Sequence, residues 1–438
     1  MTPTFRLTEL QDQATDLLAS PARHILLRGG SRSGKTFALT RAVAVRAIKA
    51  PETRHGVFRH AFNAVKQSII LDTFPKMMKL CFPEVTYKLD KTDWFVRLPN
   101  GSELWFGGLD DKERTEKILG KEFATVYLNE ASQISYGARN MLLTRLAQQS
   151  PLALKEYVDA NPPTQSHWLY TLWERGIEPK SGEPLRDPTL YATMQLNPDS
   201  NRQNLAPEYL ESLDALPEKE RRRFLLGEYL TAVDGALWSM DRIRRVEPVT
   251  DANIDAIRGQ MRRILISADP SGCSGDEDTR SDEIGIVAAG VDIAGVVHLL
   301  EDATGRYSPD GWARMVIALY DKWQADRIVA ERNYGGALVE STIRSARATA
   351  PVHLVTASRG KHVRAEPVAA LYEQGKAVHH GRFPDLEDQL CQFSAAGYQG
   401  AKSPDRADAW VWAVTDLVLG EPPAAPARWA PSPISFGR

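Results

Sequence analysis

Cysteine is scarce. The 438 residues hold three, Cys81, Cys273 and Cys391, far apart and odd in number. Neither a disulfide framework nor a paired Cys-x-x-Cys metal site is expected, and a reducing cytoplasm is. Long apolar runs are missing as well: none approaches the roughly 18 residues that a membrane-spanning helix needs. The opening MTPTFRLTELQDQ has no apolar stretch of the kind a secretion signal carries. Charge of one sign is also missing. The net charge is −2, whereas nucleic-acid-binding chains often show a basic balance, so any nucleic-acid surface must be a local patch. What is present is ordinary globular composition, 43% hydrophobic and 25% charged, which excludes wholesale disorder and collagen-like repeats. At roughly 100–200 residues per domain, the length makes two domains the default.

The first half alternates strands with helices. ILLR (25–28), HGVFRH, ATVYL (124–128) and KEYVD (155–159) read as buried strands. Helical stretches fall at 36–50, about 61–80 and about 207–228, and VTYKL, WFVRL and ELWF form a meander with a turn at Pro99-Asn100-Gly101. Such alternation predicts an α/β domain with a parallel, helix-covered sheet over residues 1–230. The pattern lapses over 231–258, which is expected to be a linker. A second domain, 259–420, follows with three strands in close succession (RRILISAD, IGIVAAGV, GVVHLLE), a helix, RIVAE, a helix, VHLV and a last helix from about Pro404 to Leu419. The tail, 421–438, is rich in Pro and Ala and is expected to be disordered or docked as an arm. No internal repeat is present.

Gly29-Gly30-Ser31-Arg32-Ser33-Gly34-Lys35-Thr36 matches G-x-x-x-x-G-K-[ST], after an apolar strand and before a helix. Glycines let backbone N–H groups turn in around phosphates, and the helix N-terminus adds positive potential. Lys35 is expected on the β/γ oxygens and the Thr36 hydroxyl on Mg²⁺. ATVYL ends in Asn129-Glu130, where Asp-Glu is usual. Glu130 is expected to orient or deprotonate the attacking water, or else to cap the next helix. Asn129 can bind a metal-bound water but brings no charge. Arg32 can reach the γ-phosphate in cis or stand in solvent. Gln11 can bond adenine, or serve with Thr8 as a capping box.

In the second half Asp269 ends the first strand, Glu331 ends the fourth, and Asp405 and Asp408 fall in the first turn of the last helix. Three strands, helix, strand and later helix is the order of an RNase H-like sheet, in which the first and fourth strands are neighbours. Four converging carboxylates repel one another unless cations bind. Two cations roughly 4 Å apart would activate water and stabilise the leaving oxygen in phosphodiester cleavage. Mg²⁺ is expected, with Mn²⁺ serving at least as well. Asp282, near the second strand, is a weaker candidate. Arg359, Lys361, His362 and Arg364 form a basic group after VHLV that either neutralises DNA phosphates or is simply solvated.

These residues together resemble the large terminase subunits of tailed phages over roughly residues 5–420. The resemblance is carried by GGSRSGKT, Asn129-Glu130, Asn161-Pro162 with His167-Trp168, and the junction RRRFLLGEYLTAVDGALW. It is carried further by Asp269-Pro270, Glu331-Arg332-Asn333-Tyr334-Gly335-Gly336, Gly360-Lys361 with Arg364-Ala365, Leu386-Glu387-Asp388-Gln389 and Asp405-x-x-Asp408-Ala409. It implies an N-terminal P-loop ATPase domain of the ASCE type and a C-terminal RNase H-like nuclease domain. It also implies ATP-driven movement of double-stranded DNA into a procapsid and cleavage of concatemeric DNA. The implied partners are a portal protein and a small terminase subunit, in a ring of five, within the host cytoplasm and docked on the portal. Arg139 and Arg145 are candidates for an arginine acting on a neighbouring subunit's nucleotide, or else helix-surface residues. The competing expectation is a helicase- or recombinase-type ATPase whose RNase H-like module is only structural.

Overall fold

A computed structural model describes residues 7–109, 120–230, 235–270, 283–332, 336–357, 360–394, 396–400 and 403–419. Cys273, Asp282, Asn333, Tyr334, Gly335, Arg359 and the 421–438 tail lie outside the described residues. The chain divides into two compact units. The first takes in the chain to Ile243 together with Gly381–Pro404. The second begins at Arg244 and includes Ile284–His380 and the chain from Asp405.

The first unit is built on strands β1 His24–Arg28, β2 Arg54–Arg59, β3 Lys88–Asp90, β4 Phe95–Arg97, β5 Glu103–Gly108, β6 Thr125–Leu128, β7 Lys155–Ala160 and β8 Tyr191–Gln195. They lie in the order β3-β4-β5-β2-β6-β7-β1-β8. The run from β5 to β8 is parallel and the β3-β4-β5 meander antiparallel. Because successive side chains on a strand face opposite ways, β1 serves two cores. Ile25 and Leu27 join the helices Glu9–Ala19 and Lys35–Lys49 on one face. Leu26 joins Leu142, Leu146, Trp168 and Leu172 on the other. The half-buried edge strand β8 was not foreseen, since YATMQ lacks a clear apolar run. The stretch at 61–80 is helical, but its Lys66–Thr73 segment takes a wider turn. The charged stretch at 207–228 forms two helices, Pro207–Asp214 and Glu218–Phe224. Pro217 divides them, because proline cannot donate the interior helix bond.

The second unit holds β9 Arg244–Val246, β10 Met261–Asp269, β11 Gly285–Asp292, β12 Val297–Asp302, β13 Arg327–Glu331, β14 Val352–Val355 and β15 Ala377–His380. Their order is β14-β13-β10-β11-β12-β15-β9. β10, β11 and β12 are antiparallel, and β13 runs parallel beside β10, the neighbouring expected of the first and fourth strands. The stretch read as a linker is partly regular: β9 pairs with β15, and Ile254–Gln260 is helical. Such short elements leave no periodicity to read. Gly381–Pro404, read as part of the second domain, groups by its contacts with the first unit. Phe393 meets Trp238 edge-on, Asp385 accepts from the Tyr136 backbone N–H, and Asp388 accepts from the Ser166 hydroxyl. The last helix, Asp405–Val414, is buried along its whole length and packs on β10 and β11, which is why it is apolar on every side beyond its charged first turn.

Candidate active sites

β1 runs into the phosphate loop, and Gly34, at φ 89°, turns the chain into the Lys35–Lys49 helix. An L side chain rarely adopts that backbone. Lys35 is buried. Its Nζ donates to the Gly29 carbonyl at 2.9 Å, the Gly30 carbonyl at 2.6 Å, Ser33 Oγ at 3.1 Å and Asn161 Oδ1 at 3.3 Å. Burial pushes the ammonium down to about 8, against the pull of Asp159 and Glu130. Asn161-Pro162 therefore sits on the loop lysine. Gln11 completes a capping box with the N-cap Thr8: its Oε1 accepts from Thr8 N–H, and Thr8 Oγ1 accepts from Gln11 N–H. Its Nε2 stands against Gly34, so it borders the loop as well. Arg32 is exposed, and its carbonyl accepts from Asn201.

At the neighbouring strand ends a residue not singled out from the sequence takes the centre. Asp159, on β7, is buried and accepts from the Thr36 hydroxyl at 2.9 Å and from the Glu130 N–H at 2.8 Å. Asn129 Nδ2 donates to its two oxygens at 2.9 and 3.1 Å. Burial raises the Asp159 carboxyl, and Lys35 opposes this. The signal was an Asp closing the apolar strand KEYVD two residues before Asn161. Glu130 is left-handed at φ 51°, a strained setting for a residue with a side chain. Its carboxylate pairs with Arg59 and accepts from Gln133 Nε2.

The two arginine candidates part company. Arg139 is not a helix-surface residue and does not reach outward. It is buried, its Nε and Nη2 fork onto Glu156, and Trp168 and Trp173 lie over its guanidinium. Burial pushes Glu156 up, but Arg139 and His24 outweigh it and hold the carboxyl down at about 2. Arg145 is half-buried and bonds the Thr144 hydroxyl beside it. His167 caps the Trp168–Trp173 helix, with Nδ1 accepting from Leu169 N–H.

In the second unit the four expected acids come together. Register pairs Ala268 with Ala330, so Asp269 and Glu331 end adjacent parallel strands. Gly285 lies opposite Asp269, and a Cβ there would stand 2.0 Å from the Asp405 carbonyl. Only glycine lets the last helix come so close to the sheet. All four carboxylates are buried. Burial raises Asp269 well above the usual range, and Asp408, Glu331 and Asp405 add to the rise by like-charge repulsion. Asp408 is raised by burial, with Lys361 and Arg364 opposing. The counter-charges come from the helix Lys361–Glu373. Lys361 Nζ lies 2.5 Å from Asp408 Oδ2, and Arg364 lies 3.7 Å from Glu331 and stacks on Trp412. Trp412 Nε1 donates to Glu331 Oε2 at 2.7 Å. Two members of the expected basic group thus face the acids. Among the described residues no set of three acid, histidine or cysteine side chains stands arranged to hold a metal ion. The donor chemistry nevertheless fits hard divalent cations: oxygen only, anionic and mutually repelling.

The family model described as terminase large subunit, T4likevirus-type, N-terminal matches residues 26–245, and that described as terminase RNaseH-like domain matches 266–417. A phosphate-loop ATPase joined to an RNase H-like nuclease is the class these units define. The chain belongs to the terminase large-subunit family. It is an ATPase and a DNA nuclease of viral DNA packaging, and the helicase-type alternative falls away. Among solved structures it is similar to a large terminase from a thermophilic bacteriophage, at 14% identity and TM-score 0.46, over 95% of this chain and 100% of that one. The bacteriophage HK97 large terminase is similar at 13% identity and TM-score 0.42, over 94% and 95%. The large terminase nuclease of thermophilic phage G20c is similar at 15% identity and TM-score 0.30, over 41% of this chain and 98% of that one. No curated protein matches the sequence.

Proposed function

We propose that the phosphate loop holds Mg²⁺–ATP through Gly29, Ser33, Gly34, Lys35 and Thr36, and that Glu130 orients and deprotonates the attacking water. In the second unit Asp269, Glu331, Asp405 and Asp408 would hold two divalent cations, Mg²⁺ or Mn²⁺, for endonucleolytic cleavage of concatemeric DNA. When bound, such cations lower the pKa of a water and stabilise the leaving oxygen. The chain's own part is to fix the site: Trp412 orients the Glu331 carboxylate, and Gly285 admits the helix that carries Asp405 and Asp408. The packaging assembly would be a ring, of five subunits by family resemblance, on a portal protein with a small terminase subunit, in the host cytoplasm. Arg145 is the remaining candidate of the two for action on a neighbouring subunit's nucleotide.

The observation that carries this reading is the convergence of four buried carboxylates on the ends of two adjacent parallel strands and the first turn of one helix. Calorimetric titration of the full chain with Mn²⁺ tests it. Wild type should bind Mn²⁺ at this cluster, and Asp269→Asn should lose that binding together with plasmid cleavage. Unchanged Mn²⁺ binding in Asp269→Asn would refute the assignment.

A further inference from the structure

We infer that Asp159 is the carboxylate of this chain's nucleotide-metal shell, taking over from β7 the charge that Asn129 does not bring from β6. The inference rests on the reading of the phosphate loop as an Mg²⁺–ATP site.

Three contacts carry it. The Thr36 hydroxyl, the loop group suited to the magnesium, donates to Asp159 Oδ2 at 2.9 Å. The two oxygens that a single cation would share are thus already within hydrogen-bond distance. Asn129 stands where an Asp is usual, yet a carboxylate only accepts, so Asn129 must turn its Nδ2 toward Asp159. An Asp at both positions would place two carboxylates about 3 Å apart without a proton between them, a like-charge contact that raises one pKa strongly. With Asn129 just after β6 and Asp159 on β7, the shell carries one negative charge, placed one strand over. Third, the Glu130 N–H donates to Asp159 Oδ1 at 2.8 Å. The same carboxylate therefore holds the backbone from which Glu130 projects, which ties the position of the water-activating group to the metal group.

Burial and the partners of the nearby lysine set this acid apart. Asp159 is 2% exposed, and a buried carboxylate is costly unless paired. Lys35 is its nearby positive charge, but the Lys35 ammonium spends its hydrogen bonds on Gly29, Gly30, Ser33 and Asn161. The Thr36 hydroxyl, Asn129 Nδ2 and the Glu130 N–H all donate to it, so both of its oxygens are held as acceptors on the loop side of the strand ends.

The test is the affinity of the full chain for a fluorescent ADP analogue, measured with Mg²⁺ and with EDTA. Five proteins are compared: wild type, Asp159→Asn, Asn129→Asp, the double exchange Asn129→Asp/Asp159→Asn, and Lys35→Ala. Asp159→Asn should lose about 10- to 100-fold of the Mg²⁺-dependent gain, read as the ratio of its own Mg²⁺ and EDTA affinities. The double exchange should restore most of the gain. Asn129→Asp alone should not increase it, because the second carboxylate is added beside the first. A wild-type Mg²⁺ gain in Asp159→Asn, or no recovery in a folded double exchange, would overturn the inference. Lys35→Ala reports on the loop separately. Unchanged nucleotide affinity there would overturn the ATP-site reading and this inference with it. Lost affinity there, combined with an unchanged Mg²⁺ response in Asp159→Asn, overturns only the assignment of Asp159.

Discussion

Two buried aspartates end strands in this chain, and they keep opposite company. Asp159 gathers donors: a hydroxyl, an amide and a backbone N–H, with Lys35 close by. Asp269 gathers acids: Asp408, Glu331 and Asp405 all push it upward, with Lys361 opposing. One carboxylate is held in place by hydrogen-bond donors of its own fold. The other concentrates more negative charge than its two basic neighbours are suited to satisfy, which is the arrangement two-metal chemistry needs. The contrast teaches that a strand-end carboxylate is read by what surrounds it, not by its position alone.

The largest expected effect lies at the first site. Glu130→Gln should bind ATP and hydrolyse it about 10²- to 10⁴-fold more slowly in steady-state turnover; normal turnover would remove the water-activating role. Next comes a buried pair that resembles neither site. Arg139→Met strips Glu156 of its guanidinium and leaves His24 as its partner, and should cost about 3–5 kcal/mol of unfolding free energy in urea titration, whereas Arg145→Ala should stay within about 0.5 kcal/mol. A small loss for Arg139→Met would mean that charge balance inside the first unit is not what holds it.

Asp388 gives a smaller, pH-dependent effect. Burial pushes it up to about 6, with the Ser166 hydrogen bond opposing. Between pH 4 and 6 the folded state holds a proton that the unfolded state has released, so this group's contribution is full below about pH 4 and falls as pH rises toward 6. Asp388→Asn should flatten that slope, by up to about 3 kcal/mol across the window, in melts run from pH 4 to 7. The smallest effect sharpens the comparison directly. Lys361→Met removes the ammonium beside Asp408, so Mn²⁺ should bind severalfold more tightly in calorimetry. Weaker binding would mean that Lys361 assists the cation site instead of competing for its oxygens.

Much of this was legible in the sequence, for identifiable reasons. The loop GGSRSGKT is contiguous, and the acids Asp269 and Glu331 close apolar strands whose order implies adjacency. Asp159 escaped because strand adjacency decides its role: β7 is next to β6 and β1 only in the folded sheet. Arg139 was misread because its partner Glu156 belongs to a later strand, and no local pattern announces a long-range pair. Lys361 and Arg364 turn to Asp408 and Glu331, whereas a basic run does not tell which way its side chains turn.

The central claim is that two chemistries reside on two separate constellations. Paired assays of full-length Lys35→Ala and Asp269→Asn test it most directly, with ATP hydrolysis and Mn²⁺-dependent plasmid cleavage measured on each. Lys35→Ala should lose hydrolysis and still cut, while Asp269→Asn should hydrolyse ATP at close to the wild-type rate and lose more than about 100-fold of its cleavage. Asp269→Asn cutting at the wild-type rate, or losing hydrolysis in parallel with cleavage, would contradict it.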